Sequence, residues 1–238
     1  MAEWSGAKRF YKEASVIEVA NGLLGVGLDG RSVKTPAGAE LAVKSHPLAA
    51  AMAAEWEAQV EIINPHSMPL CKLSATAIDR LQGNRDEVIG ITLKIAETDL
   101  LCYRAEEPAD LAARQQASWQ PELDWAKQEL AAELTVTTGV LPIIQPENAL
   151  LALQAALSEL DDFQLMGVTN AAAAAGSLVL AFSMHRGRIT AAAMFEKSIL
   201  EEKHQMEIWG EDAEALERHE RIRADLEESA RFLELLAS

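Results

Sequence analysis

The 238-residue chain reads as an α+β protein: a mainly β, meander-like amino-terminal domain carrying a helix, then a mostly α-helical carboxy-terminal domain. Three observations predict this. Before residue 45, short extended runs are separated by Asn21-Gly22 and Asp29-Gly30, pairs that tolerate positive φ and so favour hairpin turns. Beyond Pro108, apolar residues recur at steps of three and four, the period of a helix with one buried face. Apolar residues make up 49% of the chain, ample for a buried core.

Taken in order, Val16–Ala20, Leu23–Leu28 and Arg31–Thr35 predict three strands of a meander. Ser45 is a plausible N-cap and Pro47 suits a first helical turn, so a helix is expected through Leu48, Met52, Trp56 and Val60 on one face. Asn64–Leu70, with two prolines, predicts an extended crossing. Short helices follow at 73–81 and 86–96, and Thr98–Tyr103 is a strand or an extended link. Helices are then expected at 109–118, 121–133, 147–158, 162–185, 189–209 and 212–236, with a further strand within the β-branched Leu134–Ile144. Gly187 and Gly210 suit helix ends. The change of pattern sets a domain boundary near residue 105, giving domains 1–105 and 106–238. The apolar stretch Val168–Met184 is short for a membrane span and contains Asn170 and Ser177, so it reads as a core helix.

The formal net charge is -16, from 21 basic and 37 acidic residues. A surface of that sign repels phosphate backbones and anionic lipid, which argues against nucleic acid and membrane insertion and leaves a basic protein face as a fitting partner. Cys71 and Cys102 form no C-x-x-C pair and read as buried thiols in a reducing compartment. No basic segment followed by an apolar one opens the chain, so a cytoplasmic protein is expected.

Chemistry-bearing patterns are sparse. The glycines between 22 and 30 lie in and between strands with no helix following, so they do not make a phosphate cradle. Glu201-x-x-His204 has a spacing used in carboxylate-bridged metal centres, but it occurs once, and such centres need it twice. No G-x-S-x-G elbow is present. Neither cofactor, metal nor catalytic residues are therefore expected.

The last two long helices are more informative. Phe195, Ile199, Met206 and Trp209 fall on one stripe, and Glu202 lies among them. A carboxylate there needs an internal partner or a filled groove, because an unpaired buried charge costs several kcal/mol. Leu216, Ile222, Leu226, Ala230 and Leu233 form the facing stripe with His219 on it. Folding back about Gly210 would bring Glu202 level with His219.

Several strings together resemble a known family. They are Lys8-Arg-Phe-Tyr11, Leu28-Asp-Gly-Arg31 with Val33-Lys-Thr-Pro36, Ala54-Glu-Trp-Glu57 with Gln59, and Met68-Pro-Leu70. They continue as Thr98-Asp-Leu-Leu101 with Tyr103-Arg104, Trp119-Gln-Pro121 with Trp125, and Glu201-Glu202 with Gln205 and Trp209-Gly210. In this order, and over nearly the whole chain, they resemble the mitochondrial and alphaproteobacterial assembly chaperones for the alpha subunit of F-type ATP synthase. The resemblance implies an α+β fold with a mainly β amino-terminal part, no catalytic activity, and binding of the free alpha subunit until the beta subunit replaces the chaperone. The protein is expected to act as a monomer. Its docking residues are expected on the acidic carboxy-terminal hairpin, with Glu202, Glu207, Trp209 and Glu211 nearest the client. The alternative is an enzyme whose site is assembled from scattered residues, and a deep pocket lined by convergent polar groups would favour it.

Overall fold

The computed structural model describes residue 4, residues 6–139 and residues 141–237. By contacts the chain divides into two units. The first runs to Arg85 and takes in Asp162–Gly167 and the chain from Arg231 onward; the second comprises Asp86–Asp161 and Val168–Ala230. The first unit thus gathers three separate stretches of sequence.

In the first unit, β1 (Ala14–Glu18) pairs antiparallel with β2 (Leu24–Leu28) along its full length, with Val16 opposite Val26. The connection passes through Asn21 and Gly22, both at positive φ, as the turn residues predict. Asp29 and Gly30, also at positive φ, turn the chain into β3 (Arg31–Ser32), which pairs with the end of β2. The other end of that same edge is taken by β4 (Ala42–Val43), a strand too short to leave a period in the sequence.

Helix α1 (His46–Glu57) starts where expected. Ser45 caps it by accepting from the Leu48 N–H at 3.2 Å. Leu48, Met52 and Trp56 are buried at four-residue steps against the sheet. Val60 is not on that face: the helix stops at Glu57 and Val60 is 79% exposed. The expected extended crossing at 64–70 is shorter than read, because Pro65–Ser67 form a single 3-10 turn and α2 (Pro69–Leu81) begins at Pro69. The first turn of α2 is capped from α1: the Leu70 and Cys71 N–H groups each donate to the Glu55 carboxylate at 2.9 Å. Phe232, from the returning chain, is buried in the same core.

The second unit opens with α3 (Arg85–Glu97), a 3-10 turn at Leu100–Cys102 and β5 (Tyr103–Arg104). Where two helices were expected, one long helix α4 (Ala109–Glu129) runs through Pro121. Leu111, Gln115, Trp119, Glu122, Leu123 and Ala126 are buried along it, and that shared face carries the helix past the one hydrogen bond the proline cannot make. The expected strand in 134–144 is β6 (Thr137–Thr138), parallel to β5; Val140 of that stretch lies outside the described residues. Helix α5 (Glu147–Glu159) matches expectation.

The expected single helix 162–185 is two, α6 (Asp162–Ala175) and α7 (Leu178–His185). Gly176 adopts φ +67° and Ser177 starts a new helix by accepting from the Leu180 N–H at 3.1 Å. The α7 residues Leu178–Met184 are all buried, so the core reading of that apolar stretch holds. The expected helix 189–209 is likewise two, α8 (Ala191–Ser198) and α9 (Leu200–Trp209), and α10 (Ala213–Ala237) follows. Among the described residues no helix is long and apolar enough to cross a membrane. Both cysteines are free and buried. Burial pushes the Cys102 thiol up to about 12, which makes it inert as a nucleophile.

Candidate functional site: the α9 ridge and its two grooves

The break at Ile199 resets the helical phase, and this reshapes the expected apolar stripe. Phe195 and Ile199 are buried, Met206 is half-buried, and Trp209 at the end of α9 is 78% exposed. The stripe therefore does not continue into the core. It ends as an apolar tip, with Ile208 beside Trp209 at 56% exposure.

Helix α9 is tied on both sides by histidine–carboxylate bonds. The expected Glu202–His219 contact is present: the Glu202 carboxylate lies 2.6 Å from His219 Nε2 and also bonds Arg218 of α10. Equal steps from the Gly210 turn are the reason, since Gly210 at φ +91° reverses the chain between α9 and α10. On the opposite side, buried His204 lies 2.9 Å from Asp110 of α4 through its Nε2. This bond holds the Asp110 carboxyl below the usual range. His204 of the E-x-x-H pattern thus serves helix packing, while Glu201 is exposed; among the described residues no group of three or more His, Cys, Asp and Glu residues could hold a metal.

Two open grooves flank the ridge. One, of ≈ 660 Å³, runs between α8–α9 and α10, lined by Phe195, Ile199 and Met206, by the acids Glu207, Glu211 and Glu220, and by the cations Lys203 and Arg223. The other, of ≈ 740 Å³, lies between α9 and the β5–α4 segment, with Leu111, Ile208 and Trp209 as its apolar wall and Glu106, Glu107 and Glu201 as acidic members. The four residues singled out from sequence divide accordingly. Glu207 and Glu211 border the first groove, Trp209 lines the second, and Glu202 sits between the helices with about a third of its side chain exposed. Glu207 also accepts from Arg114 of α4 at 2.7 Å.

Sequence reading missed the groups that hold this platform. Glu122, almost fully buried on α4, accepts from Ser183 at 2.9 Å and Arg188 at 3.0 Å and lies 3.3 Å from Lys197. Asp99 is fully buried and accepts from the Leu101 and Val179 N–H groups, capping the 3-10 turn and α7 together. Burial pushes Asp99 up to about 6, against those bonds. The only available signal was their place within helical or turn patterns, where an acid ordinarily reads as solvent-facing.

A mixed α+β scaffold that presents an apolar helix tip between two open grooves of apolar and charged lining has the make-up of a protein-binding chaperone. Known proteins agree. The family model described as ATP12 chaperone protein matches residues 8–127. Atp12 from Paracoccus denitrificans superposes with a TM-score of 0.91 at 36% identity, covering 97% of this chain and 98% of that one. The Atu1473 protein from Agrobacterium tumefaciens does so with a TM-score of 0.89 at 37% identity, covering 97% and 85%. Protein atp12, mitochondrial, of Schizosaccharomyces pombe is 26% identical over 227 residues, 90% of this chain and 78% of that protein. The chain belongs to the ATP12 chaperone family, and the α+β fold expected from sequence is that of its solved members.

Proposed function

We propose that this protein is an assembly chaperone of F-type ATP synthase that holds the unassembled alpha subunit, covers its subunit interface, and yields it to the beta subunit. The bacterial cytoplasm is the proposed setting, in keeping with the likeness to bacterial structures. The observation that carries the reading is the exposed Ile208–Trp209 tip with its acidic border. Obligate subunit interfaces are large and apolar, and an orphan one self-associates. A protein that shields such a face needs an apolar anchor set in a charged rim, and its affinity must lose to the true partner. Trp is the residue that most often anchors such contacts. In this reading Trp209, Glu207 and Glu211 meet the client, and Glu202 fixes the pitch of α9 on α10.

The test is binding of the protein to immobilised, freshly released alpha subunit. Trp209→Ala should weaken binding by about 2 kcal/mol, roughly thirtyfold. Charge reversal at Glu207 and Glu211 should slow association and flatten its loss with salt. Thermal stability should hardly change, because Trp209 is exposed and the Arg114–Glu207 pair is a surface pair of little worth to the fold. Unchanged binding by all these variants would move the client surface elsewhere.

A further inference from the structure

The second groove has a chemical character that the acidic rim conceals. Arg104, 6% exposed, lines it, and among the described lining residues Arg104 is the one lysine or arginine. Its Nη1 donates to the Gln115 carbonyl at 2.6 Å, and its guanidinium lies 5.1 Å from the centre of the Trp119 ring. Its Nε and Nη2 have no hydrogen-bond partner among the described residues. The same holds for the buried Nε2 of Gln115 and the buried hydroxyl of Tyr103, which also lines the groove. Gln115 accepts from the Ala105 N–H through its side-chain oxygen at 2.7 Å, which leaves its amide N–H groups as the unmet part.

Each of these groups can donate, and only the Tyr103 hydroxyl among them can also accept. Leaving buried donors unmet costs about 1–3 kcal/mol each, more for a charged one. Burial already pulls Arg104 below its ordinary value. The free edge of the guanidinium, Nε with Nη2, is the fork that matches the two oxygens of a carboxylate. The surroundings select how that carboxylate arrives. A small free anion meets Glu106, Glu107 and Glu201 at the groove and a chain of net charge -16. A polypeptide segment with an acidic residue flanked by basic and apolar ones meets a match at each point: the acid to Arg104, the bases to the rim, and the apolar side chain to Ile208 and Trp209.

We propose that this groove is a recognition subsite for such a segment of the client, with Arg104 as the carboxylate receptor and Gln115 and Tyr103 as its supporting donors. The proposal rests on the chaperone reading above and adds the class of sequence that the chaperone holds.

The test uses the full chain and the blocked peptide acetyl-lysyl-leucyl-aspartyl-lysyl-amide, with the asparaginyl analogue, a peptide whose only carboxylate is its free C-terminus, and sodium acetate as comparison probes. The readout is the side-chain Nε–H resonance of Arg104 in nitrogen-15 spectra, together with affinity. The aspartyl peptide should shift that resonance and bind at least about thirtyfold better than the asparaginyl one, and Arg104→Met should abolish the difference. Equal effects of the two peptides, an acetate effect as large as the peptide's, a response to the C-terminal carboxylate alone, or a crystal structure with only an ordered water on these donors would each overturn it. Because the peptides are read on the chaperone alone, this result is separable from alpha-subunit capture. Capture by wild type together with failure of the aspartyl peptide removes the subsite and leaves the chaperone reading standing. Peptide binding without capture does the reverse.

Discussion

At the residue scale, two buried acids govern the second unit. Glu122 faces Ser183, Arg188 and Lys197, and its side chain is 4% exposed. Glu122→Ala would strand two cations, of which Lys197 is largely covered and Arg188 only partly. Unfolding in urea should show a loss of about 3 kcal/mol, at the low end for a broken buried pair because Arg188 can reach water. Asp99 acts in the opposite sense. Its folded value of about 6 lies above the unfolded value of about 3.9, so the native state holds the proton more tightly. The stability this group contributes is full below about pH 4, falls as pH rises, and is gone above about pH 6. Relative to Asp99→Asn, which does not titrate, the wild-type protein should lose about 3 kcal/mol across that window and then level off. A flat difference between the two proteins would show that Asp99 is ionised in both states.

The same residues mark what was legible in the sequence. The Glu202–His219 bond could be foreseen because a charge on an apolar stripe needs a partner, and a glycine turn fixes which residue comes level. Glu122 and Asp99 could not, since Glu122 meets Ser183 61 positions away and Asp99 meets Val179 80 positions away, and no local period encodes that. Arg104 appeared only as one member of a family-like string; its unmet donors are a property of packing.

At the element scale, helix types and most ends followed from caps and period, while joints did not. Ser45 and Gly210 stand where a helix begins and ends. The α6–α7 and α8–α9 breaks were hidden because both flanking segments keep a helical pattern, and a single φ at Gly176 or the non-helical Ile199 separates them. Val60 was misplaced on a buried face for a like reason: a period was extended past a real helix end. Helix packing supplies a direct check at Gly167. A Cβ there would sit 2.8 Å from Leu233 Cδ2 and 2.9 Å from its Cγ. Alanine gains about 1 kcal/mol in helix propensity, but overpacking costs about 1–3 kcal/mol. Gly167→Ala should therefore lower stability, by about 1 kcal/mol, as read from the urea midpoint. A stabilised variant would show that α6 and α10 yield freely there.

At the scale of the whole molecule, the buried acids Glu122 and Asp99 and the buried histidines His204 and His219 hold helices together. Histidines that could have been ligands or bases tie α9 to α4 and α10. The exposed Ile208–Trp209 tip between open grooves suits the holding of another protein proposed above. The most direct measurement is to express the ATP synthase alpha subunit alone and together with this protein, follow soluble recovery and co-elution, and then add beta subunit. The account predicts that soluble alpha rises, travels with the chaperone, and leaves it for beta. Alpha that precipitates equally with and without the chaperone would contradict it.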